Sequence, residues 1–148
     1  GVTGLFAPAE VPAAHRAMAA QIILSVGEVV WVAKEDALDV VTAVSGSGPA
    51  YFFLLAEAMA KAGVDLGLPA DAAQRLAIAT LHGAGLLAHA SDGDLARLRA
   101  EVTSKGGTTE AALNTLQSAS FNDLIGRAIE AATRRGRELA EQARVISR

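Results

Sequence analysis

The chain has 148 residues, a formal charge of −3 and no cysteine. This length suits one compact domain, the missing thiols exclude a disulfide framework and a cysteine-based metal site, and the charge lacks the basic footprint of a nucleic-acid binder. Apolar residues reach 51% before 14 glycines are added, above the roughly 45–50% of ordinary domains with glycine included, so a face buried against another chain is expected.

Val2 to Phe6 reads as a short strand, the tail of a preceding unit. Pro8 and Pro12 lead into a helix with Met18, Ile22 and Val26 at spacing four, ended by Gly27. Val29 to Val32 are β-formers and predict a second short strand. From Glu35 the pattern is helical. Asp36 is placed to cap a helix over 37–44, and Ser45-Gly46-Ser47-Gly48 interrupts it. Pro49 stands in the first turn of the next helix, which runs to about Ala62 with Gly63 as its stop. Pro69 opens a longer helix to about Ala90, whose Ala77, Ala79, Gly83, Ala84 and Gly85 let another helix approach closely.

Asp92-Gly93-Asp94 is a turn, and a short helix over 95–102 follows. Thr103 to Thr109 is a glycine-containing loop that opens a helix to about Ser118. The last helix begins near Phe121, capped by Ser120 or Asn122, with Phe121, Leu124, Ile125, Ala128 and Ala132 as its buried stripe. On it, Glu130 with Arg134 and Arg137 with Glu141 are spaced for surface ion pairs.

No membrane span is expected. The uncharged run between Asp39 and Glu57 is broken by the Ser45–Pro49 segment, and the run between Arg75 and Asp92 is shorter than the roughly 20 residues a spanning helix needs. No signal peptide is visible, and the absence of cysteine suits the reducing cytoplasm expected for the chain.

Two glycine loops carry what chemistry there is. Ser45-Gly46-Ser47-Gly48-Pro49 is not a dinucleotide fingerprint, because a helix precedes it and Tyr51 replaces the third glycine. It reads either as a tight corner between helices or as backbone bared for a ligand. Thr103-Ser104-Lys105-Gly106-Gly107-Thr108-Thr109 opens a helix, whose first N–H groups are unpaired and partly positive. With hydroxyls from Ser104, Thr108 and Thr109, that start suits a small carboxylate. An ordinary capped helix start is the alternative, and Glu110 favours it. His15, His82 and His89 are too scattered for a metal site, and none is expected. Ser47 has no histidine base, which argues against serine hydrolysis.

The stretch Leu38–Tyr51, LDVVTAVSGSGPAY, resembles a signature of the pyrroline-5-carboxylate reductases. Val102–Thr109, VTSKGGTT, followed by Ala112 and Leu113, resembles a second. Gly63–Pro69, GVDLGLP, is similar to the segment joining two of the family's helices. One departure is Lys105, where many members carry proline. The resemblance runs from about Gly1 to Glu141.

It implies a mainly α chain: a helical bundle domain over 35–148 that interlocks with a second subunit, preceded over 1–34 by the edge of a Rossmann domain and a connecting segment. It implies reduction of 1-pyrroline-5-carboxylate to L-proline with NADPH or NADH, and a homodimer or higher oligomer. The cofactor would be held mainly by an absent N-terminal domain, so the chain alone is expected to be inactive. By position, Ser104, Gly106, Gly107, Thr108 and Thr109 would hold the substrate carboxylate. Thr42 would bond near the ring nitrogen, and Ser45, Gly46, Ser47, Gly48 and Pro49 would lie against the nicotinamide. Two other readings stand beside this one. One is a stand-alone helical dimer that binds a small carboxylate or scaffolds. The other is the helical half of a hydroxyacid dehydrogenase, with Lys61 or Lys105 as its acid.

Overall fold

The structure is a computed structural model that describes residues 1–91 and 93–146; Asp92, expected in a turn with Gly93 and Asp94, lies outside them. The described residues fall into two packed units, Gly1–Gly48 with Gly126–Arg148, and Pro49–Ile125.

The first unit opens with strand β1 (Val2–Leu5), helix α1 (Ala13–Leu24) and strand β2 (Glu28–Trp31). The strands pair in parallel, with Val2 opposite Glu28 and Leu5 opposite Trp31. Parallel neighbours need a crossover, and α1 supplies it. Arg16 on α1 lies 4.9 Å from the centre of the Trp31 ring, so a cation–π contact ties the crossover to its strand.

Helix α2 (Ala37–Val41) follows, then a π-helical turn (Thr42–Gly46), then α3 (Gly48–Asp65). Asp36 is not the expected cap: its backbone is already helical and its side chain makes no cap bond. Nor does the Ser-Gly segment break the helix. Ser47 N–H reaches the Thr42 carbonyl at 2.8 Å, an i→i+5 bond, and Ser47 keeps right-handed helical angles. One extra residue is absorbed as a single wide turn. The helical path Ala37–Asp65 therefore spans 29 residues at a mean hydropathy of 1.3, long and apolar enough to cross a bilayer by length and composition only; the expected break at Ser45–Pro49 is what the structure contradicts.

Two other parts of this unit hold α2. Val41 packs flat on Gly4 of β1, where a Cβ would stand 2.8 Å from its Cγ1. Helix α7 (Phe121–Ile146) brings Gly136 against Asp39, where a Cβ would lie 3.4 Å from Oδ1. Arg137 pairs with Asp39 at 3.6 Å instead of with Glu141, and Arg144 lies 3.9 Å from Glu35. Among the described residues no ion pair joins Glu130 to Arg134. Ala43, in the π turn, is 1% exposed, and Thr133 of α7 is buried with its hydroxyl bonded to the Ile129 carbonyl.

In the second unit, α3 runs past Gly63 to Asp65. Gly63 was expected as the stop and instead sits mid-helix, where a Cβ would come within 3.2 Å of Leu68 and 3.3 Å of Ala73. The left-handed residue is Gly67, φ 104°, and Leu68 N–H returns to the Gly63 carbonyl to close the helix end. Helix α4 (Ala70–Ala90), α5 (Leu95–Glu101) and α6 (Thr108–Ser118) complete this unit. Asp94 caps α5 by accepting from the Arg97 amide.

Burial is slight. Among the described residues the buried apolar ones are Ala43, Ala73 and Ala77, and no large side chain is fully buried. Phe53 is 65% and Leu54 67% exposed. The α7 stripe expected in a core is largely bare as well, Leu124 being 53% exposed. An apolar groove lined by Phe53, Ala56, Ala60, Val64, Ala77 and Ile78 runs between α3 and α4. Large apolar faces of this kind mark association surfaces.

Candidate functional site

Two polar clusters stand out, one in each unit. Thr42 and Ser45 to Gly48 lie in the first unit; Pro49 and Ser104 to Thr109 lie in the second.

At the π turn, Thr42 Oγ1 sits 2.9 Å from the Leu38 carbonyl and Ser45 Oγ 3.0 Å from the Val41 carbonyl. A carbonyl has no proton, so both hydroxyls donate inward. Toward an approaching ligand they present only lone pairs, and each can accept but not donate. Thr42 is exposed and Gly46 beside it is bare: a Cβ on Gly46 would stand 3.5 Å from the Thr42 methyl carbon. Gly48 is buried, yet a Cβ there would meet nothing within 4 Å.

At the α6 start the backbone turns through Gly106, φ 73°, a left-handed angle that suits glycine. Gly107 is then extended as the N-cap residue. A Cβ on it would meet the Ser104 hydroxyl, which can turn aside, and the Ser104 carbonyl at 3.0 Å, which cannot, so the position is tight for any residue but glycine. The expectation that Gly106 and Gly107 offer free amides is corrected here. Gly107 N–H is tied to the Ser104 carbonyl at 3.0 Å, and Gly106 N–H is held by the Glu110 carboxylate at 2.7 Å. Glu110 is the third residue of the helix, and folding back to the residues before it is capping-box behaviour.

The next three amides differ. The first amide of α6 to find a backbone acceptor is that of Ala111, bonded to the Gly107 carbonyl. Among the described residues the N–H groups of Thr108, Thr109 and Glu110 have no partner, and the Ser104 and Thr109 hydroxyls carry no hydrogen bond. Those groups, with the partial positive charge of the helix start, can receive one small anion. Lys105 is exposed on the same loop. Lys61, weighed above as a general acid, is engaged by Asp65 one turn on.

The sequence reading missed the π turn and the inward donation of Thr42 and Ser45. Two glycines within a long apolar helical run were the available signal. It anticipated the role of Glu110 as a cap.

The comparisons with known proteins agree on one family. The profile described as pyrroline-5-carboxylate reductase dimerisation matches residues 35–139, which include the whole Ala37–Asp65 helical path. A pyrroline-5-carboxylate reductase of Pseudomonas aeruginosa is 49% identical over 142 residues, covering 96% of this chain and 52% of the relative. One from Haemophilus influenzae is 40% identical, covering 94% and 52%. Among solved structures, the Coxiella burnetii enzyme superposes with a TM-score of 0.87 at 41% identity, over 93% of this chain and 51% of that one. The Plasmodium falciparum pyrroline carboxylate reductase with NADP bound gives 0.73 at 30%, over 90% and 51%. The chain thus spans about half the length of the curated relatives it matches. With the family profile covering most of its residues and a relative nearly half identical, the chain belongs to the pyrroline-5-carboxylate reductase family.

Proposed function

We propose that this chain forms the substrate-holding and pairing part of an enzyme that reduces 1-pyrroline-5-carboxylate to L-proline with NADPH or NADH, in a cytoplasmic setting. Residues 1–34 are its edge of a dinucleotide-binding domain, and 35–148 its helical domain. The observation that carries the reading is the trio of unpartnered amides at Thr108, Thr109 and Glu110, preceded by a glycine turn and flanked by the Ser104 and Thr109 hydroxyls. They seat the substrate carboxylate.

Thr42 is the residue that its place in the family's signature stretch assigns to the ring nitrogen. Its hydroxyl already donates to Leu38, so it accepts from an N–H on the ring. That selects the protonated imine, which is the form more open to hydride attack. The site accordingly holds and orients, and needs no strong acid of its own. The bound nicotinamide supplies the hydride. The bare backbone at Gly46 beside Thr42 leaves room for a flat ring, so the residues present fit that end of the cofactor. The exposed faces of α3, α4 and α7 pair with a second copy, which is the covering that so apolar a surface requires.

A second reading has one observation in its favour: the Gly106–Glu110 bond makes the α6 start a self-closed cap with no ligand role. A single assay separates the two. The full-length protein that carries this chain is expected to consume NADPH or NADH when given 1-pyrroline-5-carboxylate. No turnover with either nucleotide at saturation would contradict the proposal.

A further inference from the structure

We infer that Gly4 is a positioning residue for the reaction proposed above, because it sets the spacing between strand β1 and the helix that ends in Thr42. The inference rests on that functional reading of Thr42. A Cβ on Gly4 would meet all three outer atoms of the Val41 side chain, at 2.8, 3.2 and 3.3 Å. Valine has one strongly preferred rotamer in a helix, so it cannot turn its methyls aside cheaply. Ordinary contact begins near 3.4 Å. An added methyl must therefore push Val41 back by about 0.6 Å, the difference between 3.4 and 2.8 Å.

Val41 is tied directly to the reacting end. It precedes Thr42 in the chain, and its carbonyl accepts the Ser45 hydroxyl. Displacing it displaces both groups. Retreat is also resisted on the far side. Asp39 leaves α2 two residues earlier, about 200° around the helix from Val41, and there it packs on Gly136 and pairs with Arg137. The short helix α2 is gripped from both sides, one side resting on the parallel strand pair. If that pair edges the dinucleotide-binding domain, Gly4 sets how far Thr42 stands from the sheet that carries the cofactor. A strand glycine otherwise weakens a strand, and close backbone approach is the usual reason to keep one.

The test uses the full-length enzyme and the variants Gly4→Ala, Gly4→Ala with Val41→Ala, and Thr42→Val. A misplacement of about 1 Å costs on the order of a hundredfold in rate, so about half that distance is expected to cost roughly tenfold in kcat. KM for 1-pyrroline-5-carboxylate is expected to move less, because the substitution leaves the α6 carboxylate seat unaltered. Removing the Val41 methyls in the Gly4→Ala background is expected to restore most of the loss. A general packing defect would not be cured by removing more apolar volume. Should Gly4→Ala not yield folded protein, Val41→Ile presses the same contact from the other side and is read in the same way. A Gly4→Ala enzyme of unaltered kcat, or a double variant no faster than it, overturns the inference while a slowed Thr42→Val leaves the underlying reading standing. A Thr42→Val enzyme of unaltered kcat overturns both.

Discussion

The amide of Gly106 donates to the carboxylate of Glu110 across one helical turn, at 2.7 Å. The bond holds the left-handed backbone of Gly106 in place and sets a negative charge beside the open amides of Thr108 and Thr109. It serves the loop's shape and opposes an incoming anion at once.

Glu110→Gln keeps an oxygen that can accept from Gly106 and removes the charge. A charge near a helix start is worth about 0.3–1 kcal/mol. With the like charge gone, KM for 1-pyrroline-5-carboxylate is expected to fall roughly two- to fivefold in steady-state assays of the full-length enzyme. A purely structural Glu110 would leave KM level or raise it.

Gly106→Ala forces a Cβ into a left-handed angle, at a cost of about 1–2 kcal/mol. Open space surrounds that position, so the penalty is conformational and not steric. The expected result is a lower thermal midpoint and a raised KM together, measured by calorimetry and kinetics on the same preparation.

Thr109→Ala removes a hydroxyl with no partner among the described residues. A hydrogen bond to a charged group is worth about 1.5–3 kcal/mol, so KM is expected to rise roughly ten- to a hundredfold. Because no described residue uses that hydroxyl, stability should stay within about 0.5 kcal/mol.

Thr42→Val deletes the lone pairs that the proposed function assigns to the ring nitrogen and keeps the shape. The expected loss in kcat/KM is again roughly ten- to a hundredfold. Thr42→Ser keeps the hydroxyl and should retain most of the activity.

Element type was readable almost throughout. Two short strands and the helices that follow came from β-formers at Val2 and Val29 and from proline and glycine punctuation, whereas the parallel pairing of the strands came only from the structure. The two misread helix interruptions share one cause, which is that a glycine reads as a breaker wherever its neighbours are unknown. Gly63 is a close-packing position inside α3, and Gly46 sits in a widened turn that stays helical. A glycine's local chemistry is the same in both roles; only the neighbouring helix decides. The α7 stripe was legible as apolar, but whether it faces its own core or another chain depends on chain length against apolar content. Here most of it is bare. At the α6 start, residue types identified an anion-compatible turn. They could not assign amide by amide which donors the turn itself consumes, because that depends on Gly106's angle and the reach of Glu110.

The most direct measurement is a crystal structure of the full-length protein with L-proline bound. The carboxylate oxygens are expected at about 2.9 Å from the amide nitrogens of Thr108 and Thr109. Proline seated elsewhere, with those two amides still facing solvent, would contradict the account.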